Sequence, residues 1–380
     1  MIKVLFLTPW YPNRTDAMFG LFVRKHAEAA SRFVQVQVAY IHADPLASSF
    51  DYVKNTEGEL TEHILYYPGR TKLQRTVYFL RAWLYLLLKI RHSGFRPDIV
   101  HAHIFTRTAV VARVLQFCWG APYVVTEHWS RYLPGQVAFR TPFHAFITRW
   151  VARKAKALLP VSGTLMRAMQ SRGIVHPRYQ IVPNVVDPAF YEDRQKVKHD
   201  KFRFLHVSCF DEKAKNIKGI LDAAKALSEE RTDFELLVVG TGVDYPAVHN
   251  YYKQLGFPEQ QVQFTGELSP DDVSRNYATS DCFVLFSNYE TAGIVLAESM
   301  VSGIPVISTP VGIAPDIITK ENGMLVDCAD VSGLTDAMRQ MLDQHDRYST
   351  RAIQATARPL YSFDAVGRQL HDLYSELIKN

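Results

Sequence analysis

Two glutamates, Glu290 and Glu298, lie in a stretch of otherwise small and apolar residues, SNYETAGIVLAESMVSGIPVIST. A carboxylate pair can hydrolyse a glycosidic bond, but that chemistry needs the two groups roughly 5 to 9.5 Å apart. On one continuous helix, eight steps of ~1.5 Å would separate them axially by about 12 Å, so hydrolysis would require a bend between them. The alternative without function is a helix with one exposed face, on which Glu298 is solvated and Glu290 lies in the first turn.

The residues around the two glutamates indicate a βαβ unit. FVLF is typical of a short buried strand, SNYETAG of a turn, IVLAESMVSG of a helix that ends at Gly303, and IPVIS of the next strand. In such sheets ligands bind beyond the carboxyl ends of the strands, where helix N-termini offer free N–H groups. Gly293 would let the backbone approach a phosphate, and a carboxylate on each side would accept hydrogen bonds from ligand hydroxyls. A nucleotide sugar fits this arrangement.

The Glu-x7-Glu spacing, followed by SMVSGIPVIST, resembles the signature of the family 4 retaining glycosyltransferases, which have the GT-B fold. The resemblance implies that Glu290 contacts the transferred sugar and that Glu298 binds the ribose of the donor. It also implies that Gly293, Ile294 and Val295 face the donor diphosphate.

Further segments extend the resemblance over nearly the whole chain. TEHWS places His128 at the carboxyl end of a strand, where the family has a histidine that contacts the donor sugar. KNIKGILDA aligns Lys215 with the lysine that neutralises the leaving diphosphate, whereas Cys209 stands where arginine is usual. A thiol cannot supply that charge, so Lys213 or Lys218 would have to compensate, unless these lysines form a solvated cluster.

Glycines at the ends of strands and loops complete the expected donor site. Gly20 lies at the junction of the first loop and helix, Gly240 and Gly242 in VVGTG, and Gly266 in FTGEL. The resemblance assigns these four to the donor, with Gly312 as a further candidate, while a turn or cap role is the alternative for Gly20. The glycine spacing departs from the dinucleotide pattern G-x-G-x-x-G, which disfavours a nicotinamide enzyme.

No metal centre is expected. HAH gives His101 and His103 a spacing that metal ligands use, but the sequence offers no third ligand. There is also no Asp-x-Asp, the motif that binds the donor metal in the other large glycosyltransferase fold. The expected catalytic residues are His128, Glu290 and Lys215, acting without metal and with no cofactor besides the nucleotide-diphosphate sugar substrate.

Composition places the chain among globular proteins with two domains. It has 380 residues, of which 47% are hydrophobic and 21% charged, and no apolar run approaches the ~18 residues of a membrane span. The start, MIKVLFLTPWYPNR, favours a first strand over a signal peptide. The four cysteines are far apart, which indicates reduced thiols and a cytoplasmic protein.

Charge is distributed unevenly along the chain. Residues 1–184 contain 24 Lys and Arg against 9 Asp and Glu, a net charge of +15, whereas residues 185–380 carry −10. The stretch 70–91, RTKLQRTVYFLRAWLYLLLKIR, combines six basic residues with aromatic residues and leucines. It predicts a helix that lies on an anionic membrane surface or packs its leucines into the core, and both fit if they concern different faces. A solvated basic surface without a partner is the alternative.

Alternating strand and helix patterns predict an α/β fold of two doubly wound Rossmann-like domains with parallel sheets and, by resemblance to GT-B proteins, a deep interdomain cleft. The expected strands of the first half include KVLFLT, VQVQVAYI, HILYY, DIVHAHI, YVVTEH, ALLPVS and QIVPN. We expect an acceptor-side domain at 1–184, a linker at 185–200 and a nucleotide-sugar domain at 201–360. The helix at 361–380 is amphipathic, and the resemblance to GT-B proteins implies that it packs back toward the first domain.

The sequence therefore predicts a retaining, metal-independent hexosyltransferase of the cytoplasm, with a peripheral position on the inner membrane face. Its expected partners are a nucleotide-sugar donor, a glycan or lipid-linked acceptor of polysaccharide or glycolipid synthesis, and an anionic membrane surface. A nucleotide-sugar epimerase of the same fold is the alternative enzyme. A nucleic-acid-binding protein is the alternative outside enzymes, but no recognised binding motif supports it.

Overall fold

The computed structural model describes residues 1–69, 71–105, 107–193 and 199–379, with the backbone alone for Lys72. Arg70 and residues 194–198 of the expected linker lie outside the described residues. The chain forms two compact units. The first consists of Met1–Val161, Leu165–Val185 and the residues from Phe363 onward, and the second of Ser162–Thr164 and Val186–Ser362.

The first unit is built on a seven-stranded sheet. Its strands are β1 (Lys3–Thr8), β2 (Gln35–Asp44), β3 (Asp51–Glu57), β4 (Leu60–Pro68), β5 (Ile99–His103), β6 (Tyr123–Glu127) and β7 (Ala157–Pro160). They lie in the order β3-β4-β2-β1-β5-β6-β7, and every neighbouring pair is parallel except β3 with β4. The chain runs outward from β1 in one direction and then from β5 in the other, so the order reverses between β1 and β5.

Helices cover this sheet. They are α1 (Leu21–Ser31), α2 (Lys72–His92), α3 (Arg107–Trp119), α4 (Pro142–Lys154) and α5 (Gly163–Ser171), together with the C-terminal helix, here α14 (Phe363–Lys379). The apolar face of α14 packs in the core of the first unit beside α1, and the Tyr374 hydroxyl lies 2.6 Å from His101 Nδ1. Arg178 and Glu376 add an ion pair at 2.5 Å.

The second unit is built on a six-stranded, fully parallel sheet. Its strands are β8 (Phe202–Val207), β9 (Phe234–Val239), β10 (Val262–Gly266), β11 (Cys282–Leu285), β12 (Val306–Ser308) and β13 (Gly323–Leu325), in the order β10-β9-β8-β11-β12-β13. This is the order of the Rossmann fold, and the chain direction across the sheet reverses between β8 and β11.

Eight helices of the second unit are described. They are α6 (Glu212–Lys215), α7 (Ile217–Ser228), α8 (Tyr245–Leu255), α9 (Pro270–Ala278), α10 (Ile294–Ser302), α11 (Ala314–Ile317), α12 (Val331–Gln344) and α13 (Thr350–Tyr361). Two apolar clusters, one centred on Phe204 and Ile220 and one on Leu296 and Met300, fill the layers between helices and sheet. The predicted class of two Rossmann-like α/β units is confirmed.

Two details of the first sheet differ from the sequence prediction. QIVPN was expected to be a strand and is not one. It follows β7, with the N–H groups of Gln180 and Val182 donating to Leu158 and Pro160, but Pro183 has no N–H to continue the ladder. Strand β3 was not predicted, because its sequence DYVKNTE is polar and mostly exposed. It is the antiparallel edge strand of an otherwise parallel sheet.

Helix α2 has two different faces. A capping box starts it, in which Thr71 Oγ1 accepts from the N–H of Gln74 at 3.2 Å and Gln74 accepts from the N–H of Thr71. One face, formed by Ala82, Trp83, Leu86, Leu87 and Ile90, is buried. The other presents Leu73, Leu80, Leu84 and Leu88, which are 75%, 68%, 61% and 45% exposed. We call these four residues the leucine face. Among the described residues, no helix combines the length and apolar character that crossing a bilayer requires.

Candidate functional site

An ion pair marks the point in the second sheet where the strand order reverses. Lys215 lies in the segment after β8, and Glu290 lies in the segment after β11. Their Nζ and Oε1 atoms are 2.5 Å apart, and the side chains are only 15% and 11% exposed. Ser287 Oγ also donates to Glu290 Oε1, at 3.0 Å. The sequence predicted both residues for the same site, and the structure brings them together.

The electrostatics of this pair favour a charged lysine. Burial alone lowers the pKa of Lys215, but the Glu290 carboxylate outweighs it, so the pKa is raised above the ordinary lysine value. The ammonium group is therefore a fixed positive charge at the edge of the sheet where ligands of Rossmann folds bind. It can hold an anionic group such as a diphosphate.

Helix α10 begins beside this pair. Gly293 caps its N-terminus with φ 69° and ψ 54°, and Gly303 ends it with φ 85°, both in the left-handed region that favours glycine. Residues 290–293 are therefore a turn, and Glu290 is not in the first turn of the helix. Ile294 and Val295 contribute the first N–H groups of α10, which have no acceptor within the helix. These groups and the helix dipole suit a phosphate.

Glu298 lies one turn further along α10, on the same half-buried face as Ile294 and Val295. The buried Tyr277 hydroxyl donates to the carbonyl oxygen of Val295 at 3.1 Å, and Glu298 lies next to this hydroxyl. Burial raises the pKa of Tyr277, and the charge of Glu298 raises it further. The Glu298 carboxylate therefore has an internal polar partner, and its expected role toward the ribose stays a prediction.

The glycines predicted for the donor site have different surroundings. A side chain at Gly240 would come within 1.9 Å of the Ser208 carbonyl oxygen, and one at Gly242 within 2.5 Å of the Phe210 nitrogen, so close packing of two loops requires both glycines. Gly312 is packed against Ala292 in the same way, at 2.4 Å. Gly266 has φ 73° but faces open space, as a residue that a ligand approaches would.

Near Lys215, a cysteine stands where the family resemblance implies an arginine as a second positive charge. Cys209 is an exposed thiol close enough to Lys215 to affect its pKa. Lys213 is exposed, and its carbonyl oxygen accepts from Asn288 Nδ2 at 3.0 Å. Lys218 Nζ lies 5.3 Å from the centre of the Tyr251 ring. Lys215 is therefore the cation that the described structure pairs with Glu290.

His128 follows β6 at the ligand edge of the first sheet and is buried. Its Nε2 lies 3.1 Å from Nδ1 of His103, which ends β5. Burial lowers the pKa of both histidines well below the ordinary value, so both rings are neutral near pH 7. Each can accept or donate a hydrogen bond, and which nitrogen carries the proton depends on the tautomer.

Glu127 is a site residue that sequence reasoning left without a role. It was expected to point away from His128, and it is fully buried. Its carboxylate accepts from the N–H groups of Phe105, His128 and Trp129 at 3.0, 2.9 and 2.8 Å. Burial raises the pKa of Glu127 to about 7 against the effect of these N–H groups. Glu127 therefore joins the segments after β5 and β6 and positions His128.

A third histidine changes the interpretation of the HAH motif. His26, on α1, approaches His103 and His128 so that one ring nitrogen from each lies within 4.8 Å of the others. The cluster takes only His103 from HAH, so the two histidines of the motif do not form a ligand pair, and the expectation of no metal centre stays a prediction. His101 instead bonds Tyr374 and Thr126, each at 2.6 Å. Three neutral imidazoles are ligands that a transition metal accepts.

Gly20 is placed where the loop after β1 meets α1. It has φ 68°, and a side chain there would lie 2.4 Å from the backbone carbon of Trp10. This backbone contact requires glycine without any ligand, and the role of Gly20 toward the donor stays a prediction.

Comparison with known proteins agrees with this geometry. The family described as glycosyl transferases group 1 matches residues 189–358, and the glycosyl transferase 4-like domain matches residues 23–185. The chain is 32% identical over 290 residues to the sulfoquinovosyl transferase SQD2 of Arabidopsis thaliana, covering 70% of this chain and 53% of that protein. It is 26% identical over 300 residues to the N-acetyl-alpha-D-glucosaminyl L-malate synthase of Bacillus anthracis, covering 74% and 76%.

A solved structure gives the same result for the fold. The sucrose-phosphate synthase of Thermosynechococcus elongatus matches with a TM-score of 0.77 at 18% identity, over 100% of both chains. Both matching family models describe glycosyl transferases, and none of these matches supports the epimerase alternative. The two family matches together span nearly the whole chain, and the protein belongs to the family 4-type glycosyltransferases, which use nucleotide sugars.

Proposed function

We propose that this glycosyltransferase is a retaining hexosyltransferase that acts without a metal ion on a nucleotide-diphosphate sugar. The observation that carries the proposal is the ion pair of Lys215 and Glu290 at 2.5 Å, beside the N-terminus of α10. The ammonium group and the first N–H groups of α10 are suited to the charge that develops on a departing diphosphate. Glu290 would contact the transferred sugar, and Glu298 the ribose.

The reaction needs no nucleophile from the protein. The bond between the anomeric carbon and the diphosphate oxygen breaks, and the acceptor oxygen bonds to the same carbon on the same face of the sugar. The acceptor's proton goes to an oxygen of the leaving diphosphate. Glu290 fits a positioning role better than attack, because Lys215 and Ser287 already engage its Oε1 atom. The buried and neutral His128 would contribute a hydrogen bond to the sugar.

Independence from metal rests on the donor chemistry. The sequence contains no Asp-x-Asp, and Lys215 supplies positive charge where a donor-bound metal would otherwise be needed. Transfer should therefore persist in excess EDTA. Loss of transfer that Mg²⁺ or Mn²⁺ restores would contradict this proposal. Restoration by Zn²⁺ alone would instead assign a metal to His26, His103 and His128, so the metal content of the purified protein is measured in parallel.

We further propose that the first unit works at the cytoplasmic face of a membrane, on a lipid-linked or surface-glycan acceptor. The leucine face of α2 is exposed, and Arg75 and Arg81 on the same helix are exposed as well. Residues 1–184 carry the +15 net charge, and each basic residue near an anionic surface contributes about 1 kcal/mol. An exposed apolar face flanked by basic residues is the pattern of helices that lie in the membrane interface.

Two experiments test the transferase proposal. In the first, the melting temperature is measured with a panel of nucleoside diphosphates and nucleotide sugars. A ligand that binds only the folded protein at about 100 times its Kd stabilises it by about 2.7 kcal/mol. In the second, NMR determines the anomeric configuration of the transferred sugar. A product with inverted configuration would refute the retaining mechanism, and isomerisation of the donor without acceptor would favour the epimerase.

A further inference from the structure

A pocket of about 570 Å³ opens in the first unit at the carboxyl ends of β1, β5 and β6. Thr8 at the end of β1, Phe105 after β5, and Trp129 and Arg131 after β6 form part of its wall. The strand order of this sheet reverses between β1 and β5, which is where ligands of doubly wound sheets bind. We call it the arginine pocket. None of the donor residues assigned above lines it.

Positive charge converges on this pocket. Its wall includes Arg107, Arg131, Arg140 and His144 and no Asp or Glu. Arg131 is 8% exposed, and within the described chain no carboxylate lies at ion-pair distance from it. Its guanidinium lies 3.9 Å from the Trp129 ring centre, and its Nη1 lies 3.4 Å from His144 Nε2. Burial lowers the pKa of His144, and the charges of Arg131 and Arg140 lower it further.

A buried guanidinium without a carboxylate partner is costly, because desolvation must be offset by a counter-charge. Arg131 is close enough to lower the pKa of Glu127, but the oxygens of Glu127 already accept from three backbone N–H groups. The Nε atom of Arg131 and the Nε1 atom of Trp83, another residue of the pocket wall, are both buried and have no hydrogen-bond partner within the described chain. The wall thus holds donors and charge that the protein does not satisfy.

The rest of the wall is aromatic. Trp83 is 4% exposed and lies on the buried face of α2, and Phe79, from the same helix, lies 4.8 Å from the Arg107 guanidinium. Phe143 on α4 is 72% exposed at the opening. An aromatic wall beside arginines binds an apolar chain next to an anionic group. Helix α2 contributes Phe79 and Trp83 to the pocket and presents the leucine face to solvent, so one helix serves both the pocket and the proposed membrane surface.

We propose that the arginine pocket binds the sugar acceptor through a phosphate group attached to an apolar chain. Arg131 and Arg140 would pair with the phosphate oxygens, and Trp83, Phe79 and Phe143 would contact the chain nearest to it. Phosphate is the group that suits several converging guanidinium groups, because each can bond two of its oxygens. The identification of this ligand as the sugar acceptor rests on the proposed transferase function. Binding of the phosphate and its apolar chain to the pocket requires neither a donor nor turnover.

The test measures binding of octyl phosphate, kept below its micelle concentration, to the full chain by calorimetry and by tryptophan fluorescence. Inorganic phosphate and neutral octyl glucoside are the comparison ligands. The variants are Arg140→Gln at the exposed rim and Arg131→Lys inside. The control is Arg153→Gln, an exposed arginine of α4 that does not line the pocket. The melting temperature and the circular dichroism spectrum of each protein report whether the variant is folded.

The expected result is that octyl phosphate binds at least about tenfold more tightly than either comparison ligand. Arg140→Gln and Arg131→Lys should each weaken it about tenfold or more, while Arg153→Gln leaves it unchanged. Equally tight binding of inorganic phosphate would show that the pocket binds free anions, and it would overturn the proposal that the ligand carries an apolar chain. If both pocket variants bound octyl phosphate as tightly as wild type, the proposal that this pocket is the binding site would be overturned. Octyl phosphate binding without any transferase activity would contradict the proposed function and leave the phosphate site standing.

Discussion

From the ion pair of Lys215 and Glu290, we predict that substituting the lysine and substituting the glutamate have different effects on nucleoside diphosphate binding. Their charged atoms are 2.5 Å apart, and the side chains are 15% and 11% exposed. At an effective dielectric constant of ~20, unit charges about 3 Å apart attract by about 5 to 6 kcal/mol, and desolvation offsets much of this. We expect a net coupling of about 2 to 3 kcal/mol between the two residues, typical of partly buried pairs.

We expect a nucleoside diphosphate to replace Glu290 as the partner of Lys215. Lys215→Met removes a charge-assisted contact worth about 1.5 to 3 kcal/mol, so the Kd should rise about 10- to 150-fold. Glu290→Gln removes the carboxylate that competes with the diphosphate for Lys215. It should leave the Kd within about threefold of wild type or lower it, while the rate of sugar transfer falls.

Isothermal titration of a nucleoside diphosphate into both variants and wild type measures this contrast, and initial transfer rates complete it. Lys253→Met, an exposed lysine on α8, is the control and should bind like wild type. Because the pKa of Lys215 is raised, its contribution should also stay constant between about pH 7 and pH 9. The reasoning fails if Lys215→Met binds like wild type, or if Glu290→Gln weakens binding as much as Lys215→Met does.

Three further predictions follow from other parts of the chain. Glu298→Ala should weaken nucleotide-sugar binding by about 1.5 to 3 kcal/mol in calorimetry, and unchanged affinity would remove it from the donor site. Leu80→Ser with Leu84→Ser should reduce flotation with anionic liposomes and leave nucleotide binding intact; neutralising Arg75 and Arg81 should do the same at moderate salt, and wild-type flotation of both variants would disprove docking through α2. Burial lowers the pKa of His206 to about 4, below its unfolded value of about 6.5. The free energy of unfolding therefore carries the full contribution of the neutral His206 above pH 6.5 and decreases as the pH falls, by about 2 kcal/mol at pH 5. The test measures the melting temperatures of wild type and His206→Asn between about pH 6.5 and pH 5. An equal dependence of the melting temperature on pH in both proteins would refute the prediction.

The local elements were predictable where one sequence feature decides the backbone. Gly293 and Gly303 bound α10 because both adopt positive φ, and the fully buried run of β11, CFVL, has no charged residue that would end it early. Strand β3 escaped prediction because its polar sequence depends on pairing with β4 for its conformation. QIVPN has an apolar start, but a missing N–H at Pro183 outweighs that pattern.

Side-chain partners from distant elements were harder to predict than the elements themselves. The pairing of Lys215 with Glu290 spans 75 residues, and the family resemblance assigned both to the donor site without implying that they contact each other. Glu127 was set aside because strand alternation turned it away from His128. A sheet covered on both faces buries that side as well, so a carboxylate there must accept from backbone N–H groups.

The two units show how one strand order positions two kinds of chemistry. In each sheet, the segments that follow the two central strands meet where the order reverses, β1 with β5 in the first unit and β8 with β11 in the second. In the second unit these segments contribute the lysine, the carboxylate and the start of α10, which suit a diphosphate. In the first unit they contribute Trp10 and Phe105 to the arginine pocket, and the neighbouring segment after β6 adds Arg131. Since the backbone arrangement is the same, the difference in ligand must come from these side chains. Substitutions in the arginine pocket should therefore change the choice of acceptor without changing the choice of nucleotide.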